Sequence, residues 1–223
     1  MNLPELKIGK LVAQVPIIQG GMAIRLSTAP LAAAVANEGG IGLIAASGMG
    51  LDELRKEIRM ARELTGGKGI IGINAMVAAR QFLDLITTAA EEGIDLIVAG
   101  AGFSRDIFAV GRRYGVEVVP IVSSARLAQT AEKLGASAVV VEGTEAGGHL
   151  GTQQSIKEIL PEVIEAVNIP VIAAGGAIDG NDVAELLKLG ANGVQMGSRF
   201  AASEESNAAP ALKEFYLKMT KED

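Results

Sequence analysis

Eight short apolar runs, rich in β-branched residues and separated by helical stretches, constrain the fold more than any other feature of this sequence. Successive runs begin about 21 to 33 residues apart, the length of one strand–helix–strand unit. Each run is apolar throughout, so we expect both faces of the sheet to be covered. The predicted strands are Val15–Gln19, Ile41–Ala45, Ile70–Asn74, Leu96–Gly100, Glu117–Val122, Ala138–Glu142, Val171–Ala174 and Gly193–Met196.

The segments between these strands show helical periodicity and charged faces. Glycine follows the end of several of them, as in Lys188-Leu189-Gly190, where a left-handed residue commonly ends a helix. The predicted helices are Thr28–Glu38, Leu51–Leu64, Phe82–Glu92, Ser104–Tyr114, Ala125–Leu134, Gln154–Val167, Asp182–Leu189 and Ala209–Met219. Eight strand–helix units in 223 residues predict an α/β fold, a single-domain (β/α)8 or TIM barrel over residues 1–223.

A doubly wound open sheet is the main rival architecture. Such a sheet usually carries a G-x-G-x-x-G turn after its first strand, where the backbone approaches a pyrophosphate. Here the first strand ends in Gln19-Gly20-Gly21-Met22 without that fingerprint. The sequence therefore favours the barrel.

Composition excludes several classes of function. The net charge is −6 and no basic run occurs, so neither nucleic acid nor an anionic membrane is an expected partner. The apolar runs are far shorter than the roughly 20 residues that span a bilayer, and no signal peptide is evident, which predicts a cytoplasmic protein. The absence of cysteine excludes disulfides, thiolate metal sites and cysteine nucleophiles.

Glycine dominates the positions that follow the predicted strands, where a barrel carries its chemistry. The turns Gly175-Gly176 and Gly197-Ser198 follow the seventh and eighth strands, the two loops with which barrels commonly bind phosphate. Backbone amides and small residues would also leave room for a flat ligand. Glu142, Glu145 and Asp179 come without further metal-ligand partners, so no metal site is predicted.

His149 is the only histidine of the chain and follows the sixth strand in a glycine-rich loop. Taken alone, it is either an acid–base catalyst or a hydrogen-bonded loop residue. Met22, Met76 and Met196 stand at strand ends, where they either fill the core or lie beside an aromatic ring. Asn74 closes an apolar strand, so its amide needs a polar partner, which a ligand would provide.

Combined, these motifs resemble those of the FMN-dependent nitronate monooxygenases and of the related flavin-type enoyl-acyl-carrier-protein reductases. The resemblance extends over essentially the whole chain, and its most specific part is Glu145-Ala146-Gly147-Gly148-His149. The other matching segments are Pro16-Ile17-Ile18-Gln19-Gly20-Gly21-Met22, Gly72-Ile73-Asn74, Glu142-Gly143, the segment 169–176 and Gln195-Met196-Gly197-Ser198-Arg199-Phe200.

The resemblance implies FMN at the carboxyl end of the barrel and His149 as the catalytic residue. His149 would remove a proton from a nitroalkane or orient a nitronate, which O2 then oxidises to a carbonyl compound and nitrite. Glu142 occupies a position where many members have glutamine. The cofactor-binding residues implied are Gly21, Met22, Asn74, Glu142, Gly147, Gly148, Gly175, Gly176, Gln195, Met196, Gly197 and Ser198.

Two other functions stay open from the sequence. An enoyl-acyl-carrier-protein reductase would use NAD(P)H and an enoyl thioester, and it keeps the same histidine motif. A flavin-binding barrel without turnover is favoured by the expectation that the chain lacks the C-terminal segment with which family members cover the active site. A homo-oligomer is also left open, because so apolar a chain could carry an interface on its outer helices.

Overall fold

The computed structural model describes residues 3–22, 24–79, 81–100, 102, 104–147 and 152–219. Its strands are β1 (Leu6–Ile8), β2 (Leu11–Ala13), β3 (Ile17–Gln19), β4 (Ile41–Ala45), β5 (Ile70–Met76), β6 (Leu96–Gly100), β7 (Glu117–Val122), β8 (Val139–Glu142), β9 (Val171–Ala174) and β10 (Gly193–Met196). Its helices are α1 (Ala29–Asn37), α2 (Leu51–Leu64), α3 (Phe82–Glu91), α4 (Arg105–Tyr114), α5 (Ala125–Leu134), α6 (Ile156–Ala166), α7 (Gly180–Lys188), α8 (Ser198–Ala201) and α9 (Pro210–Lys218).

The eight strands β3 to β10 form a closed parallel barrel, which confirms the predicted fold class. Each strand pairs with the next along the chain, and β10 returns to β3, with Gln195 opposite Ile18. Five predicted strands coincide with the observed ones. The other three differ by at most two residues, because β3 begins at Ile17, β5 continues to Met76 and β8 begins at Val139.

The hairpin β1–β2 closes the amino-terminal end of the barrel and is absent from the predicted elements. Ile8 pairs with Leu11 across the two-residue turn Gly9-Lys10, and Gly9 takes φ +54°, which favours glycine. The buried side chain of Leu6 packs over Gly193, where an added Cβ would lie 2.8 Å from Leu6 Cδ2. The Lys10 backbone N–H donates to Glu117 Oε1, which fastens the turn to the start of β7.

Two apolar clusters hold the barrel together. The hairpin residues Leu6 and Ile8 belong to the inner cluster, which fills the barrel with Ile18, Ile41, Leu43, Leu96, Val98, Val119, Val140, Ile172 and Ala174. The outer cluster lies between strands and helices, as with Ile97 and Ile159. Strand residues therefore alternate between two apolar layers, which explains why the sequence runs are apolar throughout.

The segment after β10 departs from the predicted pattern. The one-turn helix α8 follows β10 directly, whereas the predicted Ala209–Met219 forms α9, which has no buried residue and packs mainly against α8. Within the described ranges, no helix is long and apolar enough to cross a membrane.

Candidate functional site

Three polar side chains share the inward face of the barrel near its carboxyl end: Asn74, Glu142 and Gln195. Side chains alternate along a strand, so Glu142 faces inward because Val140 does. Glu142 pairs with Ala174, and Ala174 pairs with Gln195, which places the two polar residues in one layer. Asn74 pairs with the inward Val98. These three residues therefore stand above the apolar floor of the inner cluster.

Glu142 binds a proton more tightly than an exposed glutamate does, because its carboxyl is largely removed from water. Burial in the barrel raises the pKa of its carboxyl to about 7, since desolvation disfavours the charged form. Within the described part of the chain, no cation pairs with Glu142. Near neutral pH this carboxyl can therefore either hold or release a proton.

Gln195 carries an unused acceptor. Its side-chain Oε1 is buried and receives no hydrogen bond from the described residues, and the whole residue is 9% exposed. An unsatisfied buried acceptor costs about 1–3 kcal/mol, so a hydrogen-bond donor on a ligand would recover that free energy. The side chain lies close to Gly20, where an added Cβ would be 3.3 Å from Gln195 Cγ.

The loop after β3 joins Asn74 to the end of β10. Gly21 lies so close to Asn74 that an added Cβ would be 2.3 Å from Asn74 Cβ, and only glycine fits there. The Gly20 backbone N–H donates to the Met196 carbonyl at 2.9 Å. Met22 lies next to Gly197, where an added Cβ would be 3.6 Å from Met22 Sδ. The structure thus brings Gly21, Met22, Asn74 and Gly197 together, and their binding of a cofactor stays a prediction.

A buried network beneath this loop was not identified from the sequence. Gln19 is fully buried; its Oε1 accepts from the Leu43 N–H at 3.0 Å, and its Nε2 donates to the Gly20 carbonyl and to Ser27 Oγ. Ser27 Oγ in turn accepts from the Met22 N–H at 2.9 Å. The network fixes the course of the Gly20-Gly21-Met22 turn. Its sequence signal was a glutamine at the end of an apolar strand, which needs polar partners when buried.

The loop after β8 lies on the glycine turn after β9. Gly175 and Gly176 take φ values of +109° and +73°, which favour glycine. A Cβ added to Gly175 would be 2.9 Å from the Ala146 nitrogen, and one added to Gly176 would be 3.6 Å from Glu145 Cβ. Since β9 and β10 are neighbours, this turn stands beside the Gly197-Ser198 turn, where phosphate binding is predicted.

The remaining predicted site residues occupy different environments. Gly147 is exposed at the end of the described part of the β8 loop, and Ser198 is exposed at the start of α8. The Met196 side chain packs in the outer cluster, so towards the site this residue offers its backbone. Gly148 and His149 lie outside the described residues. No group of three or more acidic, histidine or cysteine residues that could hold a metal occurs in the ranges described.

A separate cavity of about 270 Å³ opens on the outer side of the barrel, between α1 and the segment after β10. Leu31, Val35 and Phe200 line it, with Glu38 and Glu205 among the other wall residues. It contains none of the predicted site residues. We therefore assign the candidate site to the carboxyl end of the barrel, where polar groups and glycine turns converge.

Comparison with known proteins places these features in a family. The family model "Nitronate monooxygenase" matches residues 5–95 and 78–223. A probable nitronate monooxygenase from Staphylococcus aureus is 30% identical over 253 residues, covering 93% of this chain and 70% of that protein. A Rhodococcus jostii protein described as a hydroxy-methyl-oxo-octahydroindene-carboxyl-CoA dehydrogenase is 35% identical over 204 residues, covering 92% of this chain. This chain spans only 57% of that relative's length.

Solved structures share the same barrel. FabK from Thermotoga maritima has a TM-score of 0.89 and 40% identity, over 93% of this chain and 66% of that one. A nitroalkane oxidase from Streptomyces ansochromogenes has a TM-score of 0.83 and 29% identity, over 91% of this chain and 70% of that one.

Proposed function

This chain belongs to the nitronate monooxygenase family, and on that premise we propose that it is an FMN-dependent oxidoreductase that oxidises alkyl nitronates, and nitroalkanes after their deprotonation, with O2 to a carbonyl compound and nitrite. The observation that carries the proposal is the buried, unpartnered Gln195 Oε1 in one layer with Glu142. It is an acceptor directed at a ligand that offers an N–H group, as the flavin ring does.

The other residues of the site fit the parts of FMN. Asn74 offers both a donor and an acceptor to ring heteroatoms, and Met22 is a soft apolar contact for an aromatic face. The turns Gly175-Gly176 and Gly197-Ser198 offer backbone N–H groups to a phosphate. When bound, FMN supplies the redox chemistry, taking electrons from the substrate and passing them to O2.

The chain's own residues would handle protons and exclude water. We assign His149 the role of general base towards a nitroalkane carbon, or of hydrogen-bond partner to a nitronate oxygen, on the strength of the Glu-Ala-Gly-Gly-His motif. The inner cluster beneath the site, including Val98, Val140 and Ile172, would exclude water from that side of the site. Polar interactions above it would be stronger because water does not screen them.

The cofactor is tested by spectroscopy and titration. The purified protein should be yellow or should bind added FMN, with quenching of flavin fluorescence. Gln195→Leu removes the acceptor and should weaken FMN binding about tenfold without lowering the stability of the apoprotein, since the variant leaves no unsatisfied group. Gln129→Leu, at an exposed position on α5, is the matched control. A wild-type protein that binds no FMN would overturn the proposal.

The catalytic assignment is tested by His149→Ala. General-base catalysis typically contributes about 10²- to 10⁴-fold, so kcat/KM for a neutral nitroalkane should fall by that order. With a preformed nitronate the loss should be smaller, because the proton has already been removed. Equal turnover by wild type and variant with both substrates would exclude His149 as the base. Absence of turnover in an FMN-loaded wild type would leave a flavin-binding barrel as the function.

Glu142 favours a second candidate, an NAD(P)H-dependent reductase of enoyl-acyl-carrier-protein thioesters. Such a reaction adds hydride and a proton to a double bond, and a carboxyl whose pKa is raised to about 7 is a suitable neighbouring acid. Two assays separate the candidates. Nitrite release from a nitronate under O2, without NADH consumption on an enoyl thioester, supports the monooxygenase, and the opposite pair of results supports the reductase.

A further inference from the structure

The loop between β8 and α6 is closed at its base by hydrogen bonds that the proposed function does not use. The Thr144 N–H donates to the Gln154 carbonyl at 2.8 Å, and the Ala146 N–H donates to the Gly143 carbonyl at 3.0 Å. The Gly143 N–H is held by the Ala174 carbonyl of β9 at 3.0 Å. These bonds bring residues 143–146, which precede Gly147 and His149 in the chain, next to Gln154 and to the end of β9, and we call this junction the neck of the loop.

Glu145 adds a side-chain bond across this neck. Its Oε2 accepts from the Ile156 N–H at 2.9 Å, and Ile156 is the first residue of α6. An Ile156 N–H at that position has no partner within its own helix, and a carboxylate there also interacts favourably with the helix dipole. The bond therefore connects the loop to the first turn of α6.

The absence of a side chain at Gly143 leaves space for the hydrogen bond between Glu145 and Ile156. A Cβ added to Gly143 would lie 2.5 Å from Glu145 Oε2 and 2.3 Å from the Ile156 nitrogen. A side chain at 143 would thus occupy the path between donor and acceptor. The glycine leaves that path free.

The same residue borders the predicted phosphate turn. Glu145 Cβ lies against Gly176, and the Ala146 nitrogen lies against Gly175, both within ordinary or tighter contact of an added Cβ. A displacement of Glu145 would therefore move the loop relative to this turn.

We propose that Glu145 is a positioning residue, whose bond to the Ile156 N–H holds residues 145–147, the part of the loop that leads to His149 in the chain, against the Gly175-Gly176 turn. Glu145 acts through the loop, not on a substrate. The proposal deepens the proposed function and rests on it for its effect on FMN and turnover, but its effect on the loop itself can be measured without a cofactor.

Glu158 supplies a matched control. It also lies at the start of α6 and accepts through Oε2, from the Ser155 N–H and Ser155 Oγ at 2.8 Å each. It makes no contact with Gly143, Gly175 or Gly176 among the neighbours found at those glycines. Removing either carboxylate costs α6 a bond at its first turn, yet only Glu145 crosses the neck.

The experiment compares Glu145→Ala, Glu145→Gln and Glu158→Ala by three readouts. Both alanine variants should lower the melting temperature by a similar 2–4 °C or so, the usual size for loss of one cap in a chain of this length. Only Glu145→Ala should speed hydrogen exchange of backbone amides 144–154 in the apoprotein. It should also weaken FMN binding about tenfold and lower kcat more than it raises KM, because small misplacements of a site are costly.

Glu145→Gln keeps an acceptor oxygen and should stay within about threefold of wild type in all readouts. If Glu145→Ala and Glu158→Ala behave alike in hydrogen exchange, the residue is only a helix cap and the proposal is overturned. If hydrogen exchange speeds up in Glu145→Ala and not in Glu158→Ala, but the wild type binds no FMN, the positioning role of Glu145 is supported and the proposed function is wrong.

Discussion

The hairpin β1–β2 fills one end of the barrel with Leu6 and Ile8, whereas the other end presents Asn74, Glu142 and Gln195 among glycine turns. At the amino-terminal end the half-buried carboxylate of Glu117 is partnered, because it accepts from the Lys10 N–H and from Ser137 Oγ. At the carboxyl end Gln195 Oε1 has no partner among the described residues, and burial raises the pKa of Glu142 to about 7. One barrel thus separates the groups that stabilise the fold from the groups that we propose to bind a ligand.

This difference shows how the protein can keep a site whose groups lower its stability. An unsatisfied acceptor and a desolvated carboxyl each lower the free energy of unfolding. The apolar inner cluster and the sealed opposite end offset that loss. Substitutions at the two ends should therefore separate stability from binding, and three experiments test whether they do.

The largest effect is expected from Leu6→Ala at the sealed end. Leu6 is fully buried over Gly193, and Leu→Ala in a core typically costs about 2–5 kcal/mol, so denaturant unfolding should shift by that amount. FMN affinity should change less than twofold under conditions where the variant is folded. Val12→Ala, on the exposed side of the same hairpin, should cost under about 0.5 kcal/mol. A large loss of FMN affinity in folded Leu6→Ala would contradict the separation of the two ends.

A pH-dependent effect is expected from Glu142→Gln at the open end. The unfolded chain releases this proton near pH 4.3, whereas the native protein holds it up to about pH 7. Between these values the native state binds more protons than the unfolded state, so the Glu142 contribution to the free energy of unfolding falls as pH rises. At pH 8 the resulting loss in the free energy of unfolding is at most about 3–4 kcal/mol.

The contribution of Glu142 is measured as the free energy of unfolding of the apoprotein at pH 4.5 and at pH 8. Wild type and Glu142→Gln should be similar at the lower pH, and the variant should be the more stable at pH 8. Glu63→Gln, an exposed position on α2, serves as the control for loss of one charge. A difference between wild type and Glu142→Gln that does not change with pH would show that Glu142 is not desolvated in the apoprotein.

The smallest effect is expected from Gly21→Ala. The new Cβ would lie 2.3 Å from Asn74 Cβ, so the turn after β3 must move, and we expect FMN to bind about tenfold more weakly, or ~1.4 kcal/mol. Gly50→Ala at the start of α2 meets no atom within 4 Å and should leave FMN binding unchanged. Unaltered affinity in Gly21→Ala would remove this turn from the site.

The barrel was predictable because its signal is repeated eight times in the chain. Apolar runs of strand length, glycine after helices and a regular spacing each point to the same unit. The sequence analysis missed the hairpin because it belongs to no repeated unit. Its two strands, Leu6–Ile8 and Leu11–Ala13, each expose their middle residue and are joined by Gly9-Lys10. Its role depends on Leu6 meeting Gly193, which is distant in sequence.

For the candidate site, the sequence indicated residue types at strand ends, but not the interactions among them. Glycines and Asn74 at strand ends already indicated a ligand, whereas the Gln19–Ser27 network depends on burial that only the closed barrel creates. The raised pKa of Glu142 has the same origin, since desolvation is a property of the surroundings and not of the residue. The role of Glu145 likewise depends on the spatial meeting of Gly143 and Ile156.

The contact between Leu6 and Gly193 also bears on how the chain is made. A ribosome releases the hairpin long before it releases β10, so its apolar face cannot be buried on the closed barrel while the middle strands emerge. Contacts between such distant residues form slowly, since a long loop must close first. The hairpin that seals the barrel is thus synthesised before all eight barrel strands, and its apolar face stays exposed until β10 completes the barrel.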